Sequence, residues 1–366
     1  MRIGGTETVV SQIIRRIDKN RFRPIIACLY ETGELGETLL KEGHDVRSNL
    51  IRGRFDLFAP VRLYKLMRDE KVDVLFIINQ PITQVWGTLC AVLARTPARI
   101  TAIRSTGKIN RIKRRLLFNA LTFPWITKIT ALSRMHKEYL VEKERINPAQ
   151  IEIVPNGVNL ERFRPGSDTS ALRRDLGIAP DAPVAGIVAM LRPEKGHTVF
   201  VRAAAEVVKR IPQARFLIIG DGSERPGLEA LAQELGAEKN ILFLGSRSDI
   251  PTWLDMMDVA VLSSHPVVET VSNSVLEYMA MAKPVVSTRV GSLPEMLDDG
   301  RTGFLIPPGD WKAMADKITF LFENRARAKE MGQAGRAKVE KEYSVEQMIR
   351  MTESLFERLL SNGRKS

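Results

Sequence analysis

Two glutamates, Glu269 and Glu277, bracket the start of a predicted helix that follows a predicted strand ending at Leu262. The first N–H groups of a helix lack partners within it and carry about half a unit of positive charge, which suits a diphosphate. The residues expected around such a ligand are Thr270, Val271, Ser272, Asn273 and Ser274. Farther along the helix, the Glu277 carboxylate can accept hydrogen bonds from a diol such as ribose. The pattern predicts a nucleotide-diphosphate site, although two surface glutamates on an ordinary helix would show the same spacing.

Two cations, Arg192 and Lys195, lie close together where a predicted strand passes into a helix. On such a loop they can clamp a diphosphate and neutralise the charge that develops on a leaving nucleotide, a role that a divalent metal can also fill. The chain contains no Asp-x-Asp sequence, and its two cysteines and four histidines show no metal-ligand spacing. We therefore expect no metal and no cofactor. The alternative is an ordinary pair of surface cations, because basic pairs on loops are common.

Apolar, β-branched runs alternate with helix-period segments along all 366 residues, which is typical of parallel sheets covered by helices. Strands are predicted at 25–30, 72–78, 100–103 and 128–132, and then at 184–190, 216–219, 241–244, 259–262, 284–288 and 303–306. Prolines at 165, 180 and 183 separate the two series. The pattern predicts an α/β fold with Rossmann-like domains at residues 1–165 and 175–343, followed by an amphipathic crossing helix at 344–366 that packs back on the body.

The stretch from Glu269 to Glu277, followed by the sequence YMAMAKPVVST, resembles the retaining glycosyltransferases of family 4, also called glycosyl transferases group 1. The resemblance covers nearly the whole chain. It implies the GT-B fold, in which two Rossmann-like domains with parallel sheets face each other across a cleft. By position, it gives Glu269 to the transferred sugar and Glu277 to the nucleotide ribose. The sequence departs from the family at Thr270 and Ala282, where glycine is usual, and at Val271, where the family has a bulky apolar residue.

Other segments match the family more loosely. Gly4 and Gly5 resemble its glycine loop, whose amides approach the donor phosphates. In the family a strand precedes this loop, but only Met1 and Arg2 stand before it here, so we expect that strand to be missing or truncated. The sequence leaves open whether Met1 is the true start. Further donor-binding candidates are Gly220, Asp221, Gly222 and Arg247, although turn glycines occur in any Rossmann domain. Where many relatives carry an acceptor-side histidine, this chain has Arg104.

Positive charge is concentrated in the first half of the chain. Residues 1–150 contain 27 Lys and Arg against 14 Asp and Glu, whereas the remainder contains 28 against 29. The cations of one segment adjoin apolar and aromatic residues, which favours docking on an acidic membrane surface. They are Lys108, Arg111, Lys113, Arg114 and Arg115. A core helix with a solvated flank is the alternative, and nucleic-acid binding is disfavoured because no recognised module accompanies the charge.

The function expected from these features is metal-independent, retaining transfer of a hexose from a nucleotide-diphosphate donor to a hydroxyl of a lipid-linked or cell-envelope glycan. A nucleotide-sugar epimerase of the same fold and a non-catalytic sugar-nucleotide binder remain alternatives. No signal peptide or membrane span is visible, so we expect a cytoplasmic protein, peripheral on the inner face of the cytoplasmic membrane. Sequence leaves open the sugar, the base, the acceptor, the linkage, the oligomeric state and the involvement of a protein base.

Overall fold

The structure, a computed structural model, describes residues 5–53, 56–78, 81–104, 119–266 and 270–363. The chain forms two compact units, one made of Met1–Gly157 with Val345–Ser366 and the other of Val158–Ser344. The sequence placed the domain boundary near residue 170, but the connecting segment from Val158 onward already belongs to the second unit. Its backbone explains why: the Val158 N–H donates to the Tyr343 carbonyl (2.9 Å), and the Ser167 N–H donates to the Asp255 carboxylate (2.7 Å).

The described residues of the first unit form six short parallel strands. They are β1 (Ile25–Ala27), β2 (Asp45–Arg47), β3 (Val74–Ile78), β4 (Ala98–Ala102), β5 (Lys128–Ala131) and β6 (Ile151–Ile153). β1 pairs with β2, and the other four form a sheet in the order β3-β4-β5-β6. The described helices between them are α1 (Gly5–Arg16), α2 (Gly33–Lys41), α3 (Ala59–Asp69), α4 (Pro81–Leu93) and α5 (Arg134–Glu144), with 3-10 turns at Phe123–Trp125 and Pro148–Gln150.

The predicted amphipathic segment at the end of the chain forms the helix Val345–Gly363, which packs on the first unit. Its apolar side joins one core with α1 and β4. The Phe356 ring lies 5.9 Å from the rings of both Phe22 and Phe76, measured between centroids. At the rim, Arg358 pairs with Glu152 at 2.7 Å. The 3.6-residue period of this segment is therefore explained by burial along one stripe of the helix.

The second unit is built on a six-stranded parallel sheet. Its strands are β7 (Val184–Val188), β8 (Arg215–Ile219), β9 (Ile241–Gly245), β10 (Val259–Leu262), β11 (Val285–Thr288) and β12 (Gly303–Ile306). The helices are α6 (Ser170–Asp175), α7 (His197–Arg210), α8 (Arg225–Glu234), α9 (Ile250–Met256), α10 (Asn273–Ala280), α11 (Leu293–Met296), α12 (Trp311–Glu323) and α13 (Arg325–Glu342), with a 3-10 turn at Pro193–Lys195. Phe200, Phe216 and Phe322 join α7, β8 and α12 in its core.

The strand order of this sheet is β12-β11-β10-β7-β8-β9. β7 therefore has β8 on one side and β10 on the other, which makes the β7/β10 boundary the point where the strand order reverses. Ligands of doubly wound sheets bind outside the carboxyl ends of the strands at such a point. None of the helices in the described ranges is long and apolar enough to cross a membrane.

Candidate functional site

The loop after β7 carries Arg192 and Lys195 at the strand-order reversal. Arg192 is exposed and precedes the 3-10 turn that ends at Lys195, whose side chain is partly buried. The turn is closed by Gly196, which has a φ of 62° and lies so close to β10 that a Cβ there would come 2.2 Å from the Ser263 carbonyl oxygen. The Ser263 hydroxyl donates to the Lys195 carbonyl (2.9 Å). The predicted cation pair is thus held at the carboxyl ends of β7 and β10.

Gly220, Asp221 and Gly222 brace this loop from the neighbouring strand β8. A Cβ at Gly220 would lie 2.0 Å from the Ala189 carbonyl oxygen, and one at Gly222 would lie 2.3 Å from that of Leu191. The Leu191 N–H donates to the Asp221 carbonyl at 3.0 Å. These contacts require glycine because the two backbones touch. In the structure, the three residues support the loop that presents Arg192, and their donor contact stays a prediction.

The start of α10 is fixed to the same strand end. Ser272 caps the helix, with its hydroxyl accepting from the Val275 N–H at 3.4 Å. The Ser274 hydroxyl donates to the Val188 carbonyl (2.8 Å), and the Val188 N–H donates to the Tyr278 hydroxyl (2.7 Å). Both contacts reach the last residue of β7. The N-terminus of α10 and the loop with Arg192 and Lys195 are therefore positioned by one strand, as a diphosphate site requires.

The remaining residues predicted around this helix start are also placed. Thr270 and Val271 are buried, and the Thr270 carbonyl accepts from the Ser292 N–H at 3.1 Å. Asn273 is partly buried in the first turn of α10. Thr270 thus ties the segment before α10 to the segment before α11.

Glu277 lies on α10 in a partly buried position. Burial raises the pKa of its carboxyl to about 7, and the positive charge of Arg162 opposes this rise. A carboxyl with this pKa is about half ionised at neutral pH, so it can act as a hydrogen-bond acceptor there. Arg162 was not among the predicted site residues.

The loop after β9 carries Arg247 and Ser248. The Arg247 guanidinium lies 5.1 Å from the centroid of the Trp253 ring, and Trp253 is a buried residue of helix α9. Such a cation–π contact holds the loop while leaving the exposed guanidinium at the surface. The Ser248 carbonyl accepts from Arg162 Nη2 at 3.1 Å. Arg162 is thus linked both to this loop and to the charge on α10.

His197 is a second group that sequence reasoning did not assign to the site. It is the first residue of α7, directly after Gly196, and only 2% of its surface is exposed. Burial, together with the charge of Lys195, lowers the pKa of its imidazole to about 4. The ring is therefore neutral at physiological pH and adds no charge next to the cation pair.

Several predicted residues lie elsewhere or outside the described ranges. Arg104 follows β4 in the first unit, where its Nη1 donates to the Asn156 Oδ1; burial lowers the pKa of this arginine to about 10. Gly5 is the first residue of α1. Gly4, Glu269 and the five basic residues Lys108, Arg111, Lys113, Arg114 and Arg115 lie outside the described residues. Within the described ranges, no cluster of three or more His, Cys, Asp or Glu side chains could hold a metal.

Two family models match adjoining parts of the chain. The model described as Glycosyltransferase Family 4 matches residues 3–162, and the model described as Glycosyl transferases group 1 matches residues 168–338.

Curated relatives carry names of the same kind. The UDP-Gal:alpha-D-GlcNAc-diphosphoundecaprenol alpha-1,3-galactosyltransferase of Escherichia coli is 27% identical over 282 residues, which span 74% of this chain and 71% of that protein. The D-inositol 3-phosphate glycosyltransferase of Corynebacterium jeikeium is 32% identical over 59% of this chain, and the chain matches about half of that protein, 54% of its length.

A solved structure matches the whole fold. HepE of Anabaena in complex with UDP has a TM-score of 0.85 at 20% identity, and the match covers 98% of this chain and 97% of that one.

Proposed function

This chain belongs to the group 1 glycosyltransferases of family 4, and we propose that it moves a hexose from a nucleotide-diphosphate donor to a hydroxyl acceptor without a metal and with retention of anomeric configuration. Its fold is GT-B, with two Rossmann-like domains. The observation that carries the proposal is the convergence at the end of β7: the loop with Arg192 and Lys195 follows this strand, and Ser274 at the N-terminus of α10 donates to its last residue, Val188. This arrangement offers two cations and a helix dipole to one diphosphate.

Each residue has a separate task in the proposed reaction. Arg192 and Lys195 bind the diphosphate and stabilise the negative charge that develops on it as the glycosidic bond breaks. Glu277 accepts hydrogen bonds from the ribose hydroxyls. By family position, Glu269 orients the transferred sugar. The acceptor oxygen forms the new bond on the face that the phosphate leaves, and the leaving phosphate oxygen takes the acceptor proton, so that the step balances without a protein base.

The acceptor is proposed to be a lipid-linked glycan or a cell-envelope glycan. The name of the Escherichia coli relative, which refers to a diphosphoundecaprenol-linked sugar, supports this class. Arg104 supports it as well, because it is a buried arginine that keeps its charge at neutral pH even with its pKa lowered to about 10. A buried cation of this kind is stabilised by an anionic ligand such as a phosphate. We therefore propose that Arg104 takes part in acceptor binding.

We further propose that the first unit docks on acidic lipid. The start of α3 exposes Leu57 and Phe58 by 86% and 70%, and Val61 and Lys65 continue the exposed side of the helix. Apolar tips followed by cations are typical of interfacial helices. The double variant Leu57→Ser/Phe58→Ser should lose sedimentation with phosphatidylglycerol vesicles, and wild-type protein should bind phosphatidylcholine vesicles more weakly. Undiminished sedimentation of the variant would exclude this docking surface.

The donor site is tested by thermal shift with UDP-hexoses in EDTA. Loss of a charge-assisted hydrogen bond costs about 1.5–3 kcal/mol, so Arg192→Ala should weaken donor binding by about 10- to 100-fold. Arg202→Ala, which removes an exposed arginine from α7, is the matched control and should bind like wild type. Stabilisation that requires Mg²⁺ would contradict metal independence.

Transfer itself is tested with a polyprenyl-diphosphate-linked sugar as acceptor, and the anomeric configuration of the product is read by NMR. A product with inverted configuration would contradict retention. An epimerised nucleotide sugar without transfer would favour the epimerase, and binding without any reaction would favour a non-catalytic binder.

A further inference from the structure

We propose that Arg162 is a positioning residue for the nucleoside end of the donor, holding the loop after β9 and acting through its charge on Glu277. The proposal rests on the proposed function, because it concerns the same donor site. Arg162 lies in the connecting segment after Asn156, which the sequence analysis assigned no role in the site. In the structure this segment is part of the second unit and reaches the edge of the sheet where β9 ends.

The backbone around Arg162 is held from two directions. The Asn159 Oδ1 accepts from the N–H groups of Glu161 (3.0 Å) and Arg162 (3.2 Å), which closes a tight turn. The next residue, Phe163, is buried, and its carbonyl accepts from Arg336 Nη1 at 3.0 Å. The side chain of Arg162 therefore starts from a fixed point, and its guanidinium lies 5.3 Å from the Phe163 ring centroid.

From this fixed point the guanidinium reaches Ser248. Its Nη2 donates to the Ser248 carbonyl at 3.1 Å, across 86 residues of sequence. Ser248 follows Arg247, whose own guanidinium lies over Trp253. The loop after β9 is thus held by one contact on each of two successive residues. A loop held in this way keeps its backbone groups in place for a ligand at the carboxyl edge of the sheet.

The same guanidinium acts on Glu277 through its charge. Burial disfavours the ionised carboxyl, and Arg162 is the positive group that offsets this effect. An arginine keeps its charge at every pH at which the protein is folded. Arg162 therefore increases the fraction of Glu277 that is ionised and able to accept hydrogen bonds from both ribose hydroxyls.

Two other polar side chains around α10 are held by partners of their own. From α13, which packs against α10, Arg336 donates to the Ala280 carbonyl and pairs with Glu340 at 2.7 Å. On α10 itself, Tyr278 is bound through its hydroxyl to Val188. Among the described residues, the shift of Glu277 is attributed to burial and to Arg162 alone. Removing Arg162 should thus change the titration of Glu277 directly.

The test measures UDP affinity by calorimetry between pH 6 and 9 for wild type, Arg162→Gln and Arg162→Lys. In wild type, affinity should fall as the pH drops through about 7, where Glu277 becomes protonated. Arg162→Gln should weaken binding about 10-fold at pH 7 and move this fall to higher pH, because the opposing charge is gone. Arg162→Lys should restore the position of the fall, because it keeps the charge.

A second readout separates positioning from a purely structural role. Wild type should bind 2′-deoxy-UDP more weakly than UDP, because one hydroxyl no longer reaches Glu277, and this difference should shrink in Arg162→Gln. Arg164→Gln, which removes an exposed arginine two residues away, is the matched control and should leave both readouts unchanged. If Arg162→Gln lowers the melting temperature but keeps the pH profile and the 2′-deoxy difference, the positioning role is refuted. If wild type binds none of UDP, ADP and GDP, the proposed donor site itself fails.

Discussion

Replacing Glu277 with Gln should stabilise the ligand-free protein at pH 8 while removing its affinity for UDP. Burial raises the pKa of Glu277 from the ordinary 4.5 to about 7. Between these values the folded state binds more protons than the unfolded state, so stability is fully present below pH 4.5 and is lost as the pH rises through 7. A shift of about 2.5 units corresponds to at most about 3.4 kcal/mol, and residual exposure reduces this to about 2 kcal/mol. Gln cannot ionise, so the variant avoids the free-energy cost of a buried carboxylate at pH 8.

The assay is thermal unfolding of wild type and Glu277→Gln at pH 5 and pH 8. For a unit of this size, about 2 kcal/mol at pH 8 corresponds to a rise in melting temperature of about 4–8 °C, with a much smaller rise at pH 5. Glu238→Gln, at an exposed position after α8, is the control and should change neither value. Equal rises at both pH values, or none at pH 8, would refute the assignment of a raised pKa to Glu277. Added UDP should stabilise wild type and leave the variant unchanged.

Two further substitutions test backbone strain and buried charge. Ala282 adopts a φ of 52°, so Ala282→Gly should raise the free energy of unfolding, measured by urea denaturation, by up to about 1 kcal/mol. Ala280→Gly at the end of α10 should lower it, and a lower free energy of unfolding for Ala282→Gly would contradict strain at that position. The pKa of His197 is lowered from 6.5 to about 4, so its contribution is present above pH 6.5 and lost as the pH falls towards 4. The free energy of unfolding of His197→Gln, minus that of wild type, should therefore be about 2 kcal/mol larger at pH 5 than at pH 7, as measured by urea denaturation. A difference between variant and wild type that does not depend on pH would contradict the buried neutral ring.

The strands could be predicted wherever they are apolar and central. All ten predicted strands are present, and their observed ends differ by three residues at most. The two strands that were missed, β2 and β6, have three residues each and include Asp45, Arg47 and Glu152. Short strands at a sheet edge bury little, so their composition carries too weak a signal. Their place is set by pairing, as in Thr130 opposite Glu152, and not by local preference.

The candidate site could be predicted where its chemistry is local in sequence. Arg192 and Lys195 are three positions apart, and the start of α10 is visible from Ser272 onward, so one loop and one helix end reveal them. Arg162 could not be predicted from the sequence, because Ser248, to which it is bound, and Glu277, on which its charge acts, are distant from it in sequence. An arginine in a connecting segment has no pattern of its own. Only the fold brings it to the loop after β9.

The pKa shifts of Glu277 and His197 change the pH dependence of stability in opposite directions, so their effects cancel in wild type. As the pH falls from 6.5 to 4.5, protonation of His197 in the unfolded state costs stability, while the same change removes the cost of ionised Glu277. The two slopes are nearly equal, because each pKa is displaced by about 2.5 units, so these groups together leave wild-type stability almost flat between pH 4 and 8. Each single variant should expose the slope of the remaining group: Glu277→Gln should lose stability as the pH falls from 6.5 to 4, and His197→Gln should lose it as the pH rises from 4.5 to 7. The double variant should again be flat and more stable throughout by about 2–3 kcal/mol if the two sites are independent. A wild-type pH titration alone would miss both groups, and parallel pH profiles for the two single variants would show that one of the two displacements is wrong.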